Sequence, residues 1–582
     1  MGSSEKPRQG LSSRLTSYGD DAFSLYLRKV FLKSMGYSEE SLDRPIIGIT
    51  NTFSAYNSCH ATVPKLIEAM KRGIMLAGGL PFEFPVISLH ESFAYPTSMY
   101  LRNLMAMDVE EMIRAQPMDA VVLVGGCDKT VPALLMGAAS AGVPAILEVT
   151  GPMLTGSYRG QRVGACTDCR RFWAQFRAGE IAEEQLPEIT DQLGPTPGTC
   201  MVMGTASTMA LTAEALGVML PGGASIPAVN SERLRHAEKT GERAVELARQ
   251  NITLDQIITP AAIDNALRTL LAIGGSTNGI IHLTAIAGRL GIDVDLDRFD
   301  AMGRETPMLV DLKPSGLHYM QELHAAGGFA AILRELAPLL DMSCKTVSGL
   351  TLQQILEMAP DWQQNVVRSL QDPLYPEGGM AVLRGNLAPG GAVIKQSAVS
   401  EKFRRHTGRA VVFDSVADLS ARIDDPALDV SEDDVLVLRN AGPVGAPGMP
   451  EAGYLPIPKK LAAQGVRDMV RISDARMSGT AFGTIVLHIT PEAAIGGPLA
   501  AIETGDRITL DIEARRIEVD LSAEEIGRRL QARETQPAHG VPERGYARLL
   551  HESILQADRG CDFDFLRPAD TGAQASGGRG TP

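Results

Sequence analysis

The stretch Ala120-Val-Val-Leu-Val-Gly-Gly-Cys127-Asp128-Lys129-Thr130 decides how the chain is read. Its apolar, β-branched run reads as a strand buried on both faces, the kind a parallel sheet requires. Two glycines then let the backbone turn sharply. A thiol, a carboxylate and an amine follow at the carboxyl end of the strand, where open α/β sheets place their ligand sites. The next run, Pro132-Ala-Leu-Leu-Met-Gly-Ala-Ala, has the character of a helix whose N-terminal amides face the same spot. Taken alone, the triplet fits either a metal site or a strand-end turn holding a buried cysteine and a surface ion pair.

Outward from it the pattern repeats. Asp21 to Met35 reads as a helix, and Arg44-Pro-Ile-Ile-Gly-Ile-Thr-Asn51 as a first buried strand, with Cys59-His60 on the loop beyond. A helix from Pro64 leads to an expected strand at Phe84-Pro-Val-Ile-Ser-Leu89, with His90-Glu91 at its far end. Pro144 to Thr150 is a further strand. This β-α alternation predicts a mostly parallel, doubly wound sheet. From 151 to 370 helices dominate, among them one opened by Gly198-Thr-Cys200-Met-Val-Met-Gly204 and one by Gly274-Gly-Ser276-Thr277-Asn278. After Gly379 short strands alternate with Gly/Pro/Asp turns, the texture of a barrel or sandwich. The division is therefore an N-terminal α/β/α domain over 1–377, a β-rich, barrel-like C-terminal domain over 378–570, and a Gly/Ala/Ser-rich, disordered tail over 571–582.

Bulk properties narrow the partners. A chain of 582 residues exceeds one hydrophobic core, so two or more domains are expected. A formal net charge of −14 argues against nucleic acid or an anionic membrane surface. No apolar run reaches the roughly 18 residues that a membrane span needs. The opening residues lack the apolar core of a signal peptide, so the expected compartment is the cytoplasm. Seven cysteines (59, 127, 166, 169, 200, 344 and 561) in such a chain read as metal ligands, reactive thiols or packing residues rather than disulfides. Cys166-Thr-Asp-Cys169 has no second pair at zinc spacing and reads as a surface loop with incidental thiols. His60 and His90 read as supports for neighbouring site residues, and His282 as a core histidine.

Seven separated motifs, in order from about residue 45 to 485, resemble the iron–sulfur dihydroxy-acid and aldonic-acid dehydratase family. They are Cys59, His90-Glu91, Gly-Gly-Cys127-Asp128-Lys129-Thr130, Gly-Thr-Cys200-Met-Val-Met-Gly, Gly-Gly-Ser-Thr-Asn278, Gly-Met-Pro-Glu451 and Asp-Ala-Arg-Met-Ser478-Gly-Thr480. The resemblance implies three cluster ligands, Cys59, Cys127 and Cys200. It implies Mg²⁺ ligands Glu91, Asp128 and Glu451, with Lys129 carbamylated into a fourth, and Ser478 as catalytic base. Three thiolates leave one iron position open, whereas an electron-transfer cluster is closed by four. The sugar-acid branch of the family implies [2Fe–2S]; the three cysteines fit [4Fe–4S] as well.

The implied reaction is removal of water from a 2,3-dihydroxy acid to give a 2-keto-3-deoxy acid. The polar Thr480 suits a polyhydroxylated substrate, so an aldonate such as arabinonate, xylonate, galactonate or gluconate is expected, with Ser276, Thr277, Asn278 and Thr480 as candidate substrate contacts. Alternatives are the dihydroxy-acid dehydratase of branched-chain amino-acid synthesis, a phosphogluconate dehydratase, and an iron-responsive paralogue without catalysis. The family implies a homodimer or homotetramer acting on a small molecule.

Overall fold

The computed structural model describes residues 9–533 and 540–568; the expected tail lies outside them. Four strands, β1 (Ile46–Asn51), β2 (Leu80–Pro85), β3 (Ala120–Gly125) and β4 (Ala145–Val149), pair in parallel in the order β2-β1-β3-β4. β3 is buried along its whole length, as its uninterrupted apolar run requires. Each of its four central side chains contributes about 1.5–3 kcal/mol by leaving water. After helix α1 (Asp21–Ser34), the crossovers are α2 (Val63–Leu76), α3 (Ser98–Ala115) and α4 (Thr130–Ala141). The chain steps from β1 to β2 through α2, then returns across β1 to β3 through α3. The sheet therefore switches direction between β1 and β3, and a crevice opens at their carboxyl ends. Cys59 follows β1 and Cys127 follows β3.

The second strand begins four residues earlier than its apolar run suggested. Ile46 pairs with Leu80 and the register ends at Asn51 with Pro85. Beyond Pro85 the Ile87 N–H turns to Asp108 Oδ2 at 2.9 Å, which takes Val86–Leu89 out of the sheet and toward the site.

A hairpin, β5 (Gly156–Tyr158) with β6 (Gln161–Val163), precedes α5 (Thr167–Arg177) and α6 (Leu186–Leu193). Then come α7 (Thr205–Ala215), α8 (Ser231–Gln250), α9 (Pro260–Ala272) and α10 (Asn278–Arg289). α8 packs on α2 while α3 packs on α4, giving the sheet its two helical layers. Every residue of α7 and α10 is buried, so these two helices form the interior against which the site is built.

Among the described residues eight strands then close a barrel: β7 (Ala381–Gly385), β8 (Ala388–Ile394), β9 (Arg405–Phe413), β10 (Val435–Leu438), β11 (Val470–Ser473), β12 (Ile485–Thr490), β13 (Arg507–Asp511) and β14 (Arg516–Val519). Their order is β10-β11-β12-β8-β7-β14-β13-β9. Closure leaves no unpaired edge. β9, β10, β11 and β12 run parallel in succession, and the loops after β10 and β11 carry Glu451 and Ser478. The last described segment returns to the first half of the chain. Arg102 Nη2 donates to the carbonyls of Gly560 (2.9 Å) and Cys561 (2.7 Å), and Arg289 pairs with Asp562, all buried. No helix among the described residues is long and apolar enough to cross a membrane.

Candidate metal and catalytic site

Strand ends from both halves meet at one place. On the α/β side, Cys59 sits in the single turn 58–60 beyond β1, and Cys127 on the turn beyond β3. Their thiols and a ring nitrogen of His90 lie within 4.8 Å of one another. Cys200 stands just before α7, its Sγ 3.0 Å from Cys166 Sγ. The neighbouring Cys127 thiol and burial push the Cys59 thiol well above its ordinary pKa. Cys166 and burial do the same to Cys200. Thiols so arranged resist ionisation unless a cation shares the pocket, and they are the soft ligands that iron accepts.

The turn that places Cys127 is held by His60. Its Nδ1 faces Thr52 O at 2.8 Å, so Nε2 accepts from the N–H groups of Gly126 (3.0 Å) and Cys127 (3.2 Å). Burial keeps this imidazole neutral, its pKa lowered to about 4. Gly126 has no room for a side chain: a Cβ there would stand 1.9 Å from Thr150 Oγ1.

Oxygen donors gather beside the thiols. Glu91, Asp128 and Glu451 each bring a carboxylate oxygen within 4.8 Å of the others. Among them lies the fully buried Lys129, with Nζ 2.6 Å from Asp128 Oδ2, 3.4 Å from Glu91 Oε2 and 3.6 Å from Glu451 Oε1. Arg476, also fully buried, donates from Nη1 to Glu451 Oε1 at 2.6 Å and lies 3.7 Å from Glu91 Oε1. Its Nη2 donates to Thr97 Oγ1 (2.6 Å), which in turn donates to Glu91 Oε1 (2.6 Å); Ser98 Oγ donates to the other Glu91 oxygen. Against the cost of desolvation, Lys129 and Arg476 hold the Glu91 carboxyl well below the usual range. Glu451 moves the other way, raised by burial and by Glu91. Three carboxylates thus face one ammonium and one guanidinium, a surplus of one negative charge.

Ser478 sits on the loop beyond β11. Its Oγ is 2.9 Å from Thr480 Oγ1, and the Thr480 N–H points at it from 3.4 Å. Ser276, Thr277 and Asn278 are fully buried beneath this loop. Asn278 Nδ2 donates to Met477 O (3.1 Å), Thr205 Oγ1 (3.2 Å) and Glu451 Oε1 (3.3 Å), tying the serine loop to one of the three clustered carboxylates. A Cβ on Gly479 would lie 2.5 Å from Ser276 Cβ, so the two loops touch backbone to side chain. Thr130 Oγ1, Thr277 Oγ1, Asn278 Oδ1 and Arg476 Nε are buried without a protein partner. These orphaned donors and acceptors, beside a mixed thiol and carboxylate set, fit a site built to take metal and further oxygen ligands.

Sequence reasoning quoted Arg476 within its motif but gave it no role, and it passed over Thr97 and Ser98. Their partners lie in the other half of the chain or across a turn, beyond any local pattern. The reading of Cys166-Thr-Asp-Cys169 is corrected. The segment opens helix α5, whose Thr167 and Asp168 are buried, and Cys166 faces Cys200. Spacing was tested for zinc, whereas the partner of Cys166 lies 34 residues away. His282 is a buried histidine with Nδ1 3.2 Å from Arg102 Nη1, as expected of a core residue.

Comparison with known proteins matches the dihydroxy-acid/6-phosphogluconate dehydratase N-terminal model to residues 44–355 and the corresponding C-terminal model to residues 365–561. An L-arabonate dehydratase of Azospirillum brasilense is 49% identical over 94% of this chain and 96% of its own length. An L-arabinonate dehydratase of Rhizobium leguminosarum bv. trifolii is 48% identical over 94% and 95%. A 6-deoxy-6-sulfo-D-gluconate dehydratase of Pseudomonas putida is 44% identical over 95% and 96%.

Proposed function

The chain belongs to the dihydroxy-acid/6-phosphogluconate dehydratase family, and from that premise we propose that it is a hydro-lyase converting a 2,3-dihydroxy sugar acid to the 2-keto-3-deoxy acid. The observation that carries this reading is the junction at Cys127-Asp128, where thiol donors and oxygen donors adjoin at one strand end with Ser478 on the loop opposite. Relatives named for arabinonate and sulfogluconate favour a sugar acid over a branched-chain dihydroxy acid.

Cys59, Cys127 and Cys200 would hold a [2Fe–2S] cluster, and Glu91, Asp128, Glu451 and a carbamylated Lys129 would hold Mg²⁺. Charge supports the carbamate. Exchanging the Lys129 ammonium for a carbamate while admitting Mg²⁺ leaves the surplus of one negative charge unchanged, whereas the ammonium would repel the ion. When bound, the two groups supply charge neutralisation at the substrate carboxylate and C2 oxygen and Lewis acidity at the C3 hydroxyl.

The chain's own residues do the rest. Ser478 Oγ takes the C2 proton. The Thr480 N–H is directed at that oxygen and the Thr480 hydroxyl, 2.9 Å away, can donate to it, and both favour its anionic form. The C3 oxygen departs as hydroxide, which takes the former C2 proton back from Ser478 Oγ to leave as water, and the resulting enol tautomerises to the ketone. Arg476 and Asn278 fix Glu451, while Thr97 and Ser98 fix Glu91, so the oxygen cage is set before substrate arrives. We place the enzyme in the cytoplasm, because its site depends on thiols that stay free, and take a homodimer or homotetramer from the family resemblance alone.

The test is a panel of arabinonate, xylonate, galactonate, gluconate and 2,3-dihydroxyisovalerate with anaerobically purified protein and Mg²⁺, reading 2-keto acid formation. Turnover of a sugar acid is expected, with Ser478→Ala lowering kcat by about 10²–10⁴-fold while iron and sulfide content stay the same. Turnover of 2,3-dihydroxyisovalerate alone, or full activity in Ser478→Ala, overturns the assignment.

A further inference from the structure

Arg170, half-buried in α5, is a cation that no carboxylate of the described residues pairs with. Its one hydrogen bond runs from Nε to Thr480 Oγ1 at 3.4 Å, and that hydroxyl is 2.9 Å from Ser478 Oγ. Its guanidinium rests on the Tyr454 ring, 4.9 Å from the centroid, and Tyr454 closes the single turn that Glu451 opens. One side chain thus touches both barrel loops that carry candidate site groups. Its two terminal NH₂ groups have no protein partner among the described residues. Arg471 shows the contrast: it lies 5.2 Å from the same ring, but it is buried and spends its charge on Asp468 at 2.7 Å. The helix that presents Arg170 is fixed at both ends. Buried Asp168 accepts from the Gly164 N–H and the Tyr319 hydroxyl, each at 2.9 Å, and Arg177 forks onto Asp424 at 2.8 and 2.9 Å. Arg171 (3.0 Å) and Lys313 (3.2 Å) share the single carboxylate of Asp168. Three cations therefore answer one carboxylate on this side of Thr480, while the cage around Lys129 has one negative charge in excess.

We propose that Arg170 recognises the end of the substrate remote from the reacting carbons, and that the acid this chain prefers carries a second anionic group there, a carboxylate, phosphate or sulfonate on the terminal carbon. This rests on the dehydratase reading above and deepens it. With C2 at Ser478 Oγ and the first carboxylate at the oxygen cage, the remaining carbons leave the base past Thr480. Arg170 stands on that side, one hydroxyl beyond Ser478, within the span from C2 to the last carbon of a sugar acid. A guanidinium with both NH₂ groups unspent forks onto an oxyanion, and the planar fork suits all three groups. A terminal hydroxyl would leave the positive surplus around α5 uncompensated, whereas an oxyanion cancels part of it. Arg170 and the oxygen cage then grip opposite ends of the molecule and fix C2 and C3 between them. Because α5 is anchored at Asp168 and Arg177, the grip is set before the substrate arrives.

The experiment uses the anaerobically purified, cluster-loaded chain with Mg²⁺ and acids matched except at the terminal carbon. Gluconate is set against glucarate, 6-phosphogluconate and 6-deoxy-6-sulfogluconate, and galactonate against galactarate. The expected result is a kcat/KM about 10–100-fold higher for a charged acid than for its uncharged partner, and the acid that leads tells carboxylate, phosphate and sulfonate apart. In Arg170→Met this preference vanishes, mostly through KM. Arg170→Lys recovers part of it, since a point charge replaces the fork. A purely structural role would lower kcat/KM for both members of a pair alike, and circular dichroism with iron content identifies a variant that fails to fold. Equal kcat/KM within every pair, a preference for the uncharged acids, or an Arg170→Met chain that keeps the parent's preference overturns the proposal. If the parent turns over no acid at all, the dehydratase reading falls and calorimetry of the same pairs decides on Arg170. Tighter binding of the charged acids, lost in Arg170→Met, upholds the contact; equal binding or none overturns it too.

Discussion

Replacing Arg476 by methionine keeps most of the side-chain volume and removes the charge. The guanidinium is fully buried and makes its strongest contact with Glu451, 2.6 Å away, while bridging to Thr97 and Glu91. Without it Glu451 retains only Lys129 at 3.6 Å and Asn278 at 3.3 Å, and the surplus negative charge of the site rises from one to two. Removing one member of a buried ion pair costs about 3–5 kcal/mol, because the partner is left uncompensated. The Arg476→Met chain should therefore lose about that much stability in EDTA at pH 8, read from urea unfolding followed by circular dichroism. Two further readings tie the loss to charge rather than shape. Burial and Glu91 already raise the Glu451 pKa, and losing Arg476 raises it further. Glu451 takes up a proton more readily in the variant, so the deficit should shrink between pH 8 and pH 5. A cation in the site should also offset part of it, since Mg²⁺ at about 100 times its Kd adds about 2.7 kcal/mol to the state that binds it. Parent-like stability in EDTA at pH 8, or a deficit indifferent to both pH and Mg²⁺, would refute the electrostatic account.

Two other substitutions test different parts of the structure. Gly126→Ala drives a Cβ into Thr150 Oγ1, so it should cost about 1–3 kcal/mol and lower cluster content; Thr150→Ala in the same chain should restore iron binding, measured by metal analysis. Lys395 is fully buried, its Nζ has no partner, and burial lowers its pKa to about 7 from 10.5. A lysine depressed in the folded state destabilises the fold progressively as pH falls from about 10.5 to about 7 and by a constant amount below. Lys395→Met should thus stabilise the chain at pH 7, by up to roughly 5 kcal/mol, and the gain should fade by pH 10.5. A less stable Met variant at pH 7 in urea unfolding would reject this.

Much of the layout was legible because it follows from local physics. The unbroken apolar run of β3 announces a strand buried on both faces, and the two glycines after it announce the turn. The change of texture after Gly379 announces the closed barrel whose β7 begins at Ala381. Cys127, Asp128 and Lys129 are consecutive, so one strand end presents both donor classes to a reader of the sequence. What stayed hidden is pairing at long range. Arg476 meets Thr97 across 379 residues, and His60 supports Cys127 across 67. Cys166 was passed over because its spacing to Cys169 drew attention, while its spatial partner is Cys200. The early end of β2 came from register against β1, which composition does not encode.

The return of residues 560–562 onto α3 and α10 bears on how the molecule is made. Cys59, Cys127 and Cys200 all lie within the first 200 residues, so they emerge from the ribosome early. Glu451 and Arg476, which complete the oxygen cage, come some 250 residues later, and the Arg102 and Arg289 clasps close only after residue 562 is synthesised. Because domains fold as they appear, the nascent chain exposes its thiols for much of translation before the barrel is made. The thiols of the α/β half thus stand open to solvent reagents during synthesis for longer than the oxygen cage, which does not exist until residues 451 and 476 are made.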